Sequence, residues 1–287
     1  MNIWKKLTDT MVIFYTVIII ISVCILLSAA WALAIRPNTK KERMERFKGV
    51  LFAHRGLHDI SSGIPENSLA AFRAACEEGY GAELDVRATR DGRLAVIHDP
   101  DLLRTAGSDL KVNELTAAEL TSFSLEGTYE RVPLLEQVIS EFDKALLVEV
   151  KPCGKDYPAV CEMLCRLMDS RGLSWCVESF DPRVLLWFRK NKPGIPRGQL
   201  SMIFDRNTDG LGRAGAFVIG NLLINFITRP DFIAYKFDHR RNLSLRLCRR
   251  LWKVRTYYWT IKSPGEAEAA FTDGAGIIFE GFKPKLT

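Results

Sequence analysis

Residues 82–86 read Ala-Glu-Leu-Asp-Val, a strand-like run in which two carboxylates, Glu83 and Asp85, stand two apart. Side chains two apart on a strand share a face, so both acids point the same way. Residues 145–151, Ala-Leu-Leu-Val-Glu-Val-Lys, repeat the arrangement with Glu149 and Lys151. Similar β-rich runs recur at residues 50–54, 175–180, 199–204, 232–236, 256–261 and 276–280. Helical patterns lie beside them, over residues 66–78, 156–171, 182–190, 243–252 and 264–271. Eight strands alternating with helices over roughly 235 residues predict an α/β fold, a (β/α)8 barrel. A doubly wound open sheet has the same alternation, and the pattern alone leaves both standing. The rhythm breaks from His98 to Pro133, so that about residues 99–133 read as an insertion after the second strand.

Upstream the chain changes character. No charged residue lies between Asp9 and Arg36, and residues 11–35 are almost wholly apolar. A helix of that length exceeds the ~30 Å hydrocarbon core of a bilayer. Trp4 and Trp31 sit near its ends, where indoles favour the interface. The competing reading is a cleaved signal peptide, with Ala32-Leu33-Ala34 as a small-x-small site, but the apolar run is longer than a signal needs. The expected plan is an N-terminal transmembrane anchor over residues 1–36, a basic linker over 37–49 and a catalytic domain over 50–287. Arg36, Lys40, Lys41, Arg43, Arg46 and Lys48 follow the apolar run, against Lys5 and Lys6 before it. The positive-inside rule then puts the domain of this single-pass protein on the cytoplasmic side.

With 47% hydrophobic and 26% charged residues, the 287-residue chain has the composition of a packed domain rather than a disordered one. Net charge is +6, and a late basic group runs from Arg240 to Arg255. Such groups suit nucleic acid, anionic lipid or a solvated face. Here the cations alternate with Leu at helical spacing, which favours the solvated face, and no nucleic-acid partner is expected. The seven cysteines form no dense framework, and free thiols are expected; Cys161 and Cys165, four apart, would share a helix face.

Polar residues at strand ends carry the chemistry of a barrel. His54 and Arg55 close the first candidate strand, His98 ends a short run at 94–97, and Glu149 and Lys151 end the third. A lone strand-end histidine is more often structural, and acid–base pairs two apart are commonly solvated ion pairs. Together they suit a phosphoester site. Glu83, Asp85 and Glu149 offer hard oxygen ligands for Mg2+ or Ca2+. Arg55 and Lys151 can hold phosphate oxygens, and the two histidines can act as general acid and base.

The string His54-Arg55-Gly56, Pro65-Glu66-Asn67-Ser68, Ala71-Phe72, Glu83-Leu84-Asp85-Val86, Thr89-Arg90-Asp91-Gly92 and His98-Asp99 resembles the signature of the glycerophosphodiester phosphodiesterase family. Val132-Pro133-Leu134-Leu135-Glu136, Glu149-Val150-Lys151, Ser179-Phe180-Asp181 and Trp259-Thr260 continue it in order, so the resemblance covers about residues 50–284. It implies a TIM barrel of the phospholipase-C-like type that hydrolyses glycerophosphodiesters to glycerol 3-phosphate and an alcohol. It also implies His54 and His98 as the catalytic pair, one divalent cation on Glu83, Asp85 and Glu149, and phosphate on Arg55 and Lys151. Glu66 and Trp259 fall near the site as support. Two departures stand out: Glu178 where a Gln is common, and residues 274–281 where relatives run Gly-Val-Asp-Gly into an Asp before Pro. Neither touches the metal or histidine set, so substrate choice is what they would alter.

Residues 217–228 are apolar apart from Asn221, Asn225 and Thr228. Twelve such residues cannot cross a bilayer, so the stretch is a core helix or a rim that docks on the membrane and admits lipid-like substrates. The readings carried forward are a glycerophosphodiester hydrolase, a lysophospholipase D-type enzyme acting on lysophospholipids at the bilayer, and a non-catalytic lipid-binding barrel.

Overall fold

The computed structural model describes residues 2–205 and 212–285. Residues 1, 206–211 and 286–287, which include the outer ends of the expected anchor and catalytic domain, lie outside the described residues. The strands are β1 (Phe52–Ala53), β2 (Gly81–Ala88), β3 (Leu94–Val96), β4 (Asp101–Leu102), β5 (Ser108–Lys111), β6 (Leu146–Val150), β7 (Trp175–Ser179), β8 (Arg197–Ser201), β9 (Phe232–Lys236), β10 (Arg255–Ile261) and β11 (Gly276–Phe279). Nine of them form one sheet, and without the antiparallel β3 the remaining eight run parallel. The sheet closes because β1 pairs with both β2 and β11. Closure excludes the open doubly wound alternative; the fold is a (β/α)8 TIM barrel.

Helices Leu69–Glu77, Leu135–Glu141, Tyr157–Asp169, Pro182–Asn191, Gly212–Gly220, Leu243–Leu247 and Pro264–Thr272 clad the barrel. Their boundaries follow local chemistry. Ser68 caps the first through its side chain to Ala71 N, and Asp181 and Ser263 cap two others, each with Pro at the helix start. The Tyr157–Asp169 helix buries Cys161 and Cys165 on one face, and all seven cysteines are free.

The alternation of strand side chains divides the apolar residues into two layers. Leu84, Val86, Val148, Val177, Ile233 and Tyr235 point outward and pack beneath the helices. Phe52, Leu147, Cys176, Leu200, Phe232, Ala234, Tyr257 and Ile278 fill the barrel interior. Gly198 is required there, since a Cβ would come within 2.1 Å of the Phe232 ring.

Within the stretch expected as a basic linker lies a 3-10 helix, Lys41–Phe47, whose Met44 and Phe47 are buried in the interior cluster and close the floor of the barrel. Tyr257 donates its hydroxyl hydrogen to Phe47 O at 3.2 Å. The excursion after β3 builds a small core of its own from Ala95, Ile97, Leu102, Val112, Leu115, Leu120 and Leu125.

A single helix, Asn2–Ala34, precedes all this, and its Leu7–Ala34 part is long and apolar enough to cross a membrane. The 217–228 stretch divides into two helices, Gly212–Gly220 and Asn225–Thr228. Leu222 between them is fully buried, while Phe217 and Phe226 stay exposed, so the stretch is core on one side and surface on the other.

Candidate active site

The inward positions of β2, β6 and β7 form a row of carboxylates. Asp85 is in register with Glu149, and Glu149 with Glu178. Glu83 lies two residues below Asp85, and all four are buried. One oxygen from each of Glu83, Asp85 and Glu149 falls within 4.8 Å of the others.

Arg55 and Lys151 border this group. Lys151 Nζ is 2.6 Å from Glu149 Oε1 and 3.3 Å from Asp85 Oδ1, the latter outside hydrogen-bonding geometry. Arg55 donates its backbone N–H to Glu83 at 3.0 Å and a guanidinium hydrogen to Glu66 at 2.9 Å. Asn67 donates to Asp85 at 2.9 Å. The backbone turn that allows this is tight: Arg55 and Asn67 both have positive φ, and a Cβ on Gly56 would sit 2.8 Å from Ala71. This accounts for the His-Arg-Gly order at the end of β1.

His54 Nδ1 lies 2.7 Å from Glu280 Oε2, just past β11, and His98 Nδ1 lies 2.6 Å from Asp99 Oδ1. With those nitrogens carrying the hydrogen, each Nε2 is free to exchange a proton. Arg104 ties the periphery together, donating to Asp99 and to Glu66, each at 2.6 Å. His54, Arg55, Glu83, His98, Glu149, Lys151, Glu178 and Trp259 all line one small cavity of about 50 Å³. Trp259 forms its aromatic wall, edge-on to Phe180 at 5.7 Å.

The electrostatics follow from burial. Desolvation and the neighbouring Asp85 and Glu149 push the Glu83 carboxyl well above the usual range. Burial raises Glu149 to about 7, against the pull of Lys151, and raises Glu178 well above its ordinary value. Burial also opposes ionisation of Asp85, but Lys151 and Arg55 outweigh it and hold that carboxyl far below the normal range. Desolvation lowers both imidazoles, His98 to about 4. The hydrogen bond from His54 brings Glu280 down to about 2.

Three crowded carboxylates, with Asp85 Oδ1 lacking a hydrogen bond, fit a hard divalent cation. His54, His58 and Glu280 also approach one another within 4.8 Å, but His54 and Glu280 are already bonded to each other, so the all-oxygen group is the better seat.

The barrel thus gathers all nine residues expected from sequence. Glu280, Asp99, Arg104 and Asn67 were missed as functional partners. Glu280 belongs to the altered last-strand segment that was expected to leave the histidine set untouched, yet it lies beside His54 and bonds it. Glu178 had been noted only as a departure; its inward parity with Phe180 was the signal that it faces the site.

The family model described as "Glycerophosphoryl diester phosphodiesterase family" matches residues 54–273. A glycerophosphodiester phosphodiesterase of Caldanaerobacter subterraneus is 36% identical over 165 residues, 53% of this chain and 67% of that protein. One from Bacillus altitudinis is 34% identical over 165 residues, 53% of this chain and 66% of that protein. The matched stretch therefore spans about two thirds of these relatives. Among solved structures, an Oleispira antarctica phosphodiesterase in complex with the product sn-glycerol-3-phosphate has a TM-score of 0.65 at 22% identity, covering 80% of this chain and 92% of that one. A Thermotoga maritima glycerophosphodiester phosphodiesterase has a TM-score of 0.62 at 24% identity, covering 80% and 93%. These two likenesses speak for the fold, whereas the family match extends over the candidate site itself, and on it the chain belongs to the glycerophosphoryl diester phosphodiesterase family, a family of phosphoric diester hydrolases.

Proposed function

We propose that this protein hydrolyses glycerophosphodiesters to glycerol 3-phosphate and an alcohol, as a step in lipid metabolism, with His54 and His98 as the acid–base pair. The reading rests on one observation: buried Glu83, Asp85 and Glu149 converge within 4.8 Å beside two cations and two imidazoles whose Nδ1 atoms are each held by a carboxylate. That set argues against the non-catalytic lipid-binding alternative.

Glu83, Asp85 and Glu149 would hold one divalent cation, Mg2+ or Ca2+, which when bound supplies Lewis-acid withdrawal of charge from the diester. Arg55 and Lys151 bind non-bridging phosphate oxygens and offset charge that develops on them. One imidazole Nε2 accepts the proton of the attacking oxygen, from water or the adjacent glycerol hydroxyl. The other donates a proton to the departing alkoxide. Glu66 fixes the Arg55 guanidinium, and Trp259 walls the pocket.

The organisation into an anchor over residues 1–36, a basic linker over 37–49 and a catalytic domain over 50–287, with the excursion at about 99–133, belongs to the same proposal. Trp31, which cleavage after Ala34 would remove, is bonded to Ser244 at 3.1 Å and favours a retained anchor over a cleaved signal. The bilayer is then a partner, the protein is single-pass, and the basic residues after the helix favour a cytoplasmic domain. Because the anchor packs directly on the barrel, lysophospholipids are the second substrate class.

The test is turnover of glycerophosphocholine and glycerophosphoethanolamine with Mg2+, Ca2+ or a chelator. Hydrolysis abolished by chelation, and reduced about 10²- to 10⁴-fold in His54→Ala, is expected. No turnover with either metal removes the proposal.

A further inference from the structure

The N-terminal helix is docked with a definite polarity. A barrel helix starts near the catalytic rim, at the C-terminal end of the strand before it, and runs back to the floor. The Leu243–Leu247 helix does so after β9, with Leu243 toward the rim. Trp31 donates to Ser244 Oγ at 3.1 Å, next to that start, and one turn further along Ile35 O accepts from Cys248 Sγ. Asn38 N then bonds Pro230 O, just before β9 begins, at the floor. Traced back from Asn38 to Trp31, the chain climbs from floor to rim. The apolar helix leaves the barrel there with its side chains exposed. From Leu7 to Ala30 it rises about 36 Å, a bilayer's thickness.

This path exchanges the places of the two basic groups. Residues 40–48 follow the apolar helix in sequence, but the fold carries them to the floor, where Met44 and Phe47 close it. The late group comes to the rim instead. Arg240 and Arg241 lie between β9 and the start of the Leu243–Leu247 helix, close to where Trp31 is bonded. With Arg246 and Arg249 they line a cavity of about 540 Å³ between that helix and Pro264–Thr272, and Gly265 marks its rim end.

Two of the four arginines are fixed. Arg240 stacks on the Phe237 ring at 4.0 Å, and Arg249 donates to the Tyr258 hydroxyl at 2.8 Å. Arg241 and Arg246 are exposed and make no hydrogen bond or ion pair among the described residues. Only two carboxylates share the cavity, Glu268 and Asp273, and Asp273 is already engaged by Tyr258 at 3.0 Å and Arg249 at 3.5 Å. Surplus cationic charge with two unpaired guanidinium forks suits phosphate oxygens. The cavity shares no lining residue with the catalytic pocket.

We propose that this arginine-lined cavity binds the phosphate headgroup of an anionic phospholipid in the leaflet that the rim faces. The site goes beyond the hydrolase reading and rests on the anchor proposed over residues 1–36. Its position selects a lipid over free phosphate. Trp31, an indole of the kind that favours the interface, is bonded one residue from Leu243, whose apolar side chain is exposed. Arginines held at that level meet the anionic surface of a cytoplasmic leaflet. A headgroup clasped there fastens the rim to the bilayer at a second point, beside the helix.

The test uses the full chain in nanodiscs of mixed phosphatidylcholine and phosphatidylglycerol, with retained lipid counted by native mass spectrometry. The parent is expected to keep phosphatidylglycerol in preference to phosphatidylcholine. Arg241→Gln combined with Arg246→Gln should lower that preference about fivefold per residue, with Tm and glycerophosphocholine turnover unchanged. Lys40→Gln combined with Lys48→Gln removes the same charge at the floor and should leave the preference intact. Equal losses from both pairs, or no preference in the parent, overturn the site. Displacement of the lipid by an equal concentration of inorganic phosphate would assign the cavity to a free anion and overturn it too. Release of the chain from membranes by alkaline carbonate removes the anchor and the site together. Retention with the lipid preference intact but no diester turnover removes the hydrolase reading alone.

Discussion

Glu280 sits 2.7 Å from His54 Nδ1, at the far end of the sequence from the histidine it orients. Its charge raises the affinity of that imidazole for a proton, against a larger opposing effect of burial. Glu280→Gln should therefore reduce kcat about 10²-fold and move the acidic limb of the pH–rate profile to lower pH. A rate loss with the limb unmoved would reduce Glu280 to a packing role. Glu178 gives a second case. Burial holds its carboxyl well above its ordinary value of 4.5, so it takes up a proton on folding. Stability must then fall as pH rises through 4.5 and beyond, because the unfolded chain carries the charge that the folded one excludes. Glu178→Gln removes that penalty. In chelator, its Tm should exceed that of the parent by about 2–4 °C at pH 8, with the gap closing near pH 4. The two residues also mark the limit of what was legible. Glu83, Asp85 and Glu149 could be placed from strand parity alone. The partnership of Glu280 with His54 needed barrel closure, which brings β11 beside β1 across 226 positions.

The Lys41–Phe47 turn shows what the sequence left unread: within a basic stretch carrying five cations from Lys40 to Lys48, Met44 and Phe47, three apart, turn inward and close the floor beneath Phe52 and Tyr257. Two apolar residues in so basic a stretch carry no periodicity to read, and only the interior cavity makes them buried. Phe47→Ala should cost about 3–5 kcal/mol in urea unfolding followed by tryptophan fluorescence. A loss below about 1 kcal/mol would mean the floor seals itself without the ring. The helices expected at 182–190 and 264–271, by contrast, were legible nearly to their ends, whereas the one expected from 66 begins at Leu69, where Ser68 caps it. β1 was overestimated, since the turn at Arg55 and Gly56 leaves it two residues long.

Seen entire, the protein is a barrel fastened to its N-terminal apolar segment by Trp31, Ile35, Asn38 and Arg43, the last 3.5 Å from buried Asp231. Six cations follow the apolar run and two precede it, and the proposed topology, with the helix crossing the bilayer and the barrel in the cytoplasm, makes a testable prediction. A C-terminal alkaline phosphatase fusion should be inactive and a C-terminal green fluorescent protein fusion bright; the reverse would invert the topology. One consequence follows from the way the sheet shuts. The strands that complete it, β1 and β11, come from opposite ends of the domain. A ribosome making this chain delivers the helix first and the final staves last, so an unfinished cylinder waits with two bare margins. Unpaired backbone at such margins recruits other chains. Translation that stalls before Gly276 should therefore yield aggregates rather than a smaller folded protein, whatever state the catalytic residues have reached.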